Sequence, residues 1–146
     1  MIRSAILATV LAVAIPVPAQ DAGKEAVAKA VASIQGTWLI VTINGQSLGD
    51  AGMEMSLTFT DDKYAQTTNG NVDERGTIKI DPAKKPMTID LNITEGNDAG
   101  KLQLGIFEIT GDTMTMKLGA PADGIRPTGL SQSDGTLFVI FKKKAK

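Results

Sequence analysis

The sequence predicts an all-β protein: an eight-stranded antiparallel up-and-down barrel preceded by a short helix. Three observations predict it. Apolar residues recur at every second position, as in Met53, Met55, Leu57 and Phe59, the period of a strand with one buried face. The strand segments are separated by turn signals of hairpin length, among them Asn44-Gly45, Asn69-Gly70-Asn71 and Gly111-Asp112. No connection reads as a crossover helix, so the sheet is most simply antiparallel. Strands with one apolar face must bury it in a sandwich or by closing on themselves, and an even run of sequential hairpins favours closure.

The elements come in chain order. Residues 1–19 read as a secretory signal peptide. Arg3 supplies the positive start, residues 5–15 are apolar except for Thr9, and Val17-Pro18-Ala19 places small residues at the −3 and −1 positions of a cleavage site. The apolar run falls short of the roughly 20 residues that span a bilayer, and the absence of cysteine excludes a lipidated N-terminus. The expectation is a soluble protein, secreted or periplasmic, with no transmembrane anchor and a mature chain starting at Gln20. Residues 20–34 are alanine-rich, with Val27, Val31 and Ile34 forming a narrow apolar stripe and Gly36 supplying a stop. A helix is predicted here, and at this length it needs support from the strands after it.

Residues 35–142 form the predicted barrel domain. Strands are expected at 38–43, 53–59, 64–68, 72–80, 87–94, 102–110, 114–118 and 136–142. Two prolines break the 81–86 link, a glycine-containing loop covers 95–101, and the longest connection is 119–135. Residues 143–146 are left as a basic tail, which keeps a terminal strand from pairing at its edge.

Composition narrows the function classes. Fifteen Lys plus Arg against sixteen Asp plus Glu give a formal charge of −1, without the basic surplus that phosphate-driven nucleic-acid binding needs. The chain has no His and no Cys, which excludes Ser-His-Asp and Cys-His catalysis, thiolate or imidazole metal sites, and disulfides. Four motifs remain. Gly96-Asn97-Asp98-Ala99-Gly100-Lys101 looks like a phosphate loop, but has one residue too few between its glycines and no helix after it. Asn69, Asn71 and Asp73 have the alternating spacing of calcium ligands, yet Glu74 replaces the required glycine and Ile80 stands where the closing carboxylate should be. Both read better as hairpin turns. Asp61-Asp62 and Asp73-Glu74 are acidic pairs, but adjacent strand residues point to opposite faces and do not converge on one substrate. The expectation is a non-enzymatic protein without cofactor or metal.

Gln35-Gly36-Thr37-Trp38, just after the predicted helix, resembles the Gly-x-Trp signature of lipocalins. Asp81-Pro82-Ala83-Lys84-Lys85-Pro86, Thr88-Ile89-Asp90-Leu91, Gly105-Ile106-Phe107-Glu108, Gly111-Asp112 and Arg126-Pro127-Thr128 come after it in one order. Together they look like the secreted lipocalin-like domain abundant in planctomycetes, a family of uncharacterised function, over residues 34–142. Phe107 stands where that family often has Tyr, and Gly129-Leu130 where an acidic-aromatic pair is common. The resemblance implies a closed barrel with Trp38 inside one end, covered by the helix, and Arg126 stacked over it.

A small barrel either fills its interior with side chains or holds one ligand. Five methionines lie on predicted apolar strand faces, and flexible thioethers suit adaptable pockets as well as plain core packing. The expected lumen is therefore Met53, Met55, Leu57, Phe59, Met87, Ile89, Leu91, Met114 and Met116. These residues point to an exported binding protein for a small apolar ligand or a cell-envelope partner. The alternative is an interaction module with a packed interior that presents its loops to another protein. Oligomeric state is not legible.

Overall fold

The structure, a computed structural model, describes residues 14–16, 18–131 and 136–146; most of the expected signal peptide lies outside them. Helix α1 spans Ala19–Ile34, one residue ahead of the expected start. The strands are β1 (Gly36–Ile43), β2 (Gln46–Ser47), β3 (Met55–Thr60), β4 (Lys63–Thr68), β5 (Asn71–Asp81), β6 (Met87–Glu95), β7 (Leu102–Thr110), β8 (Thr113–Leu118) and β9 (Leu137–Lys143). All eight expected strands are present. The two-residue β2 is additional, created by the Asn44-Gly45 turn: both residues have positive φ, 50° and 79°, the hand that matches strand twist in a two-residue hairpin.

Strand neighbours run β1-β3-β4-β5-β6-β7-β8-β9, and β9 pairs back onto β1. Every pairing is antiparallel, and the closing one runs from Trp38↔Lys143 to Ile43↔Val139. Closure leaves none of these eight strands with a free edge along its full length. A bulge between Ile40 and Thr42 puts Val41 outside while keeping Ile40 and Ile43 opposite the inward Phe141 and Val139.

The up-and-down course separates two ends. At the first end lie the hairpin turns around residues 61–62, 82–86 and 111–112, together with the end of α1. Ile34 and Trp38 are buried there, and the Trp38 indole Nε1 donates to Ile34 O at 2.7 Å. The Gln35 side chain donates to Val31 O and Asp61 O at 3.0 Å each and accepts from Asp61 N at 2.7 Å. Gly36 carries a φ of 96° where the chain leaves the helix, which explains a glycine two residues before the tryptophan. Phe59, Phe107, Ile89, Met114 and Met116 fill the barrel above this floor.

The opposite end carries the longer loops. The connection after β8 folds back over the outside of the barrel as a strap. Gly119 N donates to Leu104 O and Ala122 N to Leu102 O, both at 2.9 Å. Arg126 then reaches Gly105 O at 2.8 Å, Ile89 O at 3.3 Å and Asp90 Oδ1 at 2.6 Å. Lys117 Nζ donates to Ser131 O. Consequently Ile106 (3% exposed) and Lys117 (0%) are buried although they are register partners on the outer face of β7 and β8.

Candidate functional site

Between the filled floor and the loops, the barrel interior opens into a cavity of about 280 Å³. Its body is apolar: Ile40, Leu57, Leu91, Val139 and Phe141 form the deeper walls, with Ile43, Met55, Leu118 and Leu137 towards the mouth. Gln66, Glu74, Asp98 and Gln103 add polar groups. A larger groove of about 750 Å³ lies on the outer surface between α1 and residues 81–83. The lumen is the better candidate, because it combines enclosure, apolar walls and inward polar groups.

Glu74 enters the lumen by strand parity. In β5, Gly76, Ile78 and Ile80 are buried inward positions, and Glu74 continues that series while Asp73 faces solvent. On β4, Gln66 is the register partner of Glu74, and Tyr64 pairs with Gly76. A Cβ on Gly76 would lie 2.7 Å from Tyr64 Cε1 and 2.2 Å from Asn92 O, so glycine leaves the space in which the ring lies. The Tyr64 hydroxyl donates to Glu74 Oε1 at 2.8 Å. Burial, reinforced by the carboxylate beside it, pushes the Tyr64 phenol well above its ordinary value, so this hydroxyl stays a neutral donor. On the other wall, buried Gln103 donates from Nε2 to Gly119 O at 2.8 Å, tying the mouth to the start of the strap.

The expected lumen set divides. Met55, Leu57 and Leu91 line the cavity. Phe59, Ile89, Met114 and Met116 do not: they are fully buried below it as core. Met87 packs against that core as a partly buried residue. Met53 precedes β3, is 41% exposed, and belongs to an outer surface near β2. Four of these five methionines therefore stand away from the cavity, with Met114 and Met116 as core packing, and only Met55 is in place to adapt to a ligand. Strand parity was the signal for the missed Glu74, Tyr64 and Gln103.

The expected Arg126–Trp38 stack is corrected. Arg126 is held outside β6 and β7 by Asp90 and two carbonyls, whereas Lys143 Nζ lies 5.2 Å from the Trp38 ring centroid. The expected basic tail thus begins inside β9. Arg126→Ala should lower stability by about 1–2 kcal/mol, near the lower end for hydrogen bonds to a charged group because the ion pair is partly exposed, with Trp fluorescence unchanged. Lys143→Ala should alter that fluorescence while costing no more than about 1 kcal/mol. Urea unfolding and emission spectra of the two variants check both; an emission change in Arg126→Ala would restore the stack.

The remaining motifs lie in turns and adjoining strand ends. Asn69 Oδ1 accepts from Glu54 N at 3.0 Å, and the Asp73 carboxylate accepts from Thr68 Oγ1, so the calcium-like spacing serves a hairpin. In the glycine loop, Gly100 N donates to Ile93 O at 2.8 Å and Lys101 pairs with Asp98 at 2.6 Å. Asp62 O accepts from Ile78 N at 2.8 Å. Among the described residues no three carboxylates converge as a metal site, and no helix is long and apolar enough to cross a membrane.

A family model described as a lipocalin-like domain matches residues 34–116, from the end of α1 into β8. No curated protein and no solved structure matches the chain.

Proposed function

Because the chain belongs to the lipocalin-like domain family, we propose that it is an exported, non-enzymatic barrel that holds one small ligand, apolar in its body, inside the open half of its lumen. The observation that supports this reading is the cavity of about 280 Å³ walled by Ile40, Leu57, Leu91, Val139 and Phe141. That volume sits just below the roughly 300–1,000 Å³ typical of ligand pockets, so the ligand is compact. At about 25 cal/mol per Å², roughly 330 Å² of buried apolar ligand surface corresponds to micromolar binding before association costs are met. Export rests on the n-h-c pattern of residues 1–19.

One experiment tests both parts. Full-length protein is expressed in a Gram-negative host, recovered from the periplasm or medium, and weighed intact. A mature N-terminus at Gln20 is expected, and retention of residues 1–19 refutes export. The same material should bind a hydrophobic fluorescent probe saturably. Met55→Trp and Leu137→Trp, each placing an indole in the mouth, should weaken that binding by at least about tenfold, or 1.4 kcal/mol. Absent binding, or binding that survives both substitutions in folded protein, refutes the lumen reading. The filled lower half of the barrel then favours the second reading, a packed interaction module that presents its open-end loops to a cell-envelope protein.

A further inference from the structure

Glu74 is a carboxylate inside an apolar cavity, and its structural duty does not require its charge. Tyr64 needs one acceptor, which a neutral glutamine would supply equally well. An ionised carboxylate offers about four acceptor sites, and only one is filled by a described residue, the Tyr64 hydroxyl at 2.8 Å. No Lys or Arg among the described residues pairs with it. Arg75, the next residue in sequence, is committed to Glu95 at 3.0 Å, and Lys101 to the cavity-lining Asp98 at 2.6 Å. Among the described residues, the cavity lining carries two carboxylates, Glu74 and Asp98, and no Lys or Arg, and a cleft lined by one sign of charge concentrates ions of the other.

We propose that the lumen's ligand is an amphipathic organic cation, with an ammonium or similar head that donates to the free oxygen of Glu74 and an apolar tail against Leu57, Leu91, Val139 and Phe141. This rests on the lumen-binding reading and narrows it to one ligand class. Tyr64 acts as a positioning residue: its hydrogen bond holds one carboxylate oxygen and leaves the other facing the cavity.

The test compares three probes of one tail length: octylammonium, octanol and octanoate. Each is titrated calorimetrically against the mature protein at neutral pH. Octylammonium should bind at least about tenfold more tightly than octanol, as a hydrogen bond between two charged groups provides, and octanoate should bind least. Glu74→Gln keeps an acceptor for Tyr64 and should bring octylammonium down to the affinity of octanol, leaving octanol unchanged. Asp50→Asn should retain the preference, because Asp50 lies outside the cavity lining. Octylammonium binding no better than octanol in the wild type overturns the proposal without any variant. So does a preference that persists in Glu74→Gln or disappears in Asp50→Asn. In these outcomes octanol still binds, and the lumen reading stands. Absence of binding by all three overturns both.

Discussion

Trp38→Ala is expected to destabilise the protein by about 3–5 kcal/mol, the range for removing a large aromatic side chain from a packed core. The indole is 1% exposed and joins two parts of the molecule. Its ring packs at the barrel floor, and Nε1 bonds to Ile34 O at 2.7 Å, the last residue of α1. Alanine leaves a cavity between helix and barrel and removes the donor that satisfies a carbonyl at the helix end. Trp38→Phe separates the two contributions: it keeps most of the packing and should cost about 1–3 kcal/mol, the penalty for an orphaned buried acceptor. Urea denaturation followed by circular dichroism checks both, since each variant lacks the only tryptophan. Loss below about 1 kcal/mol for alanine would mean that α1 is not part of the cooperative unit.

Gly76→Ala carries the second large effect, for the opposite reason. The new methyl would lie 2.2 Å from Asn92 O and 2.7 Å from Tyr64 Cε1. The carbonyl belongs to the β5–β6 ladder and cannot withdraw without disturbing Thr77↔Asn92 pairing. Overpacking of this kind costs about 1–3 kcal/mol. The ring can yield only by moving further into the lumen, carrying its hydroxyl away from Glu74. The variant should therefore lose both stability and probe binding, whereas Met55→Trp should lose binding with little change in stability. Thermal melts paired with probe titrations separate the two patterns. Full stability in Gly76→Ala would contradict the close approach of the two strands.

Much of the fold was legible because most strands bury one face. The Met55-Leu57-Phe59 and Met114-Met116-Leu118 alternations placed β3 and β8 to within two residues. In β7 the reading is ambiguous for a physical reason: Ile106 and Phe107 are adjacent and both buried, one beneath the strap and one in the core. A strand covered on both faces reads as a continuous apolar run. The site was legible only in part. Alternation identified inward residues, and Leu57 and Leu91 line the cavity. It did not carry height along the barrel axis, which separates Met55 at the mouth from Met114 in the sealed core. Met53 fell outside because β3 starts at Met55, two residues later than the pattern suggested. The partner of Trp38 depended on a contact between chain ends, Trp38↔Lys143, which no local pattern encodes.

That contact also orders events during synthesis. The barrel's seam joins its first and last strands, with Lys144 N bonded to Thr37 O at 2.9 Å. Until the seven residues of β9 exist, β1 and β8 each present an unpaired flank along the positions that β9 will take, and the chain is a curled sheet with open, sticky borders. A chain that lacks β9 is thus a template for its neighbours, and only β9 converts it into a surface that others cannot extend. Proteolysis that removes β9 should produce aggregates where a nick in the exposed first half of α1 produces soluble protein.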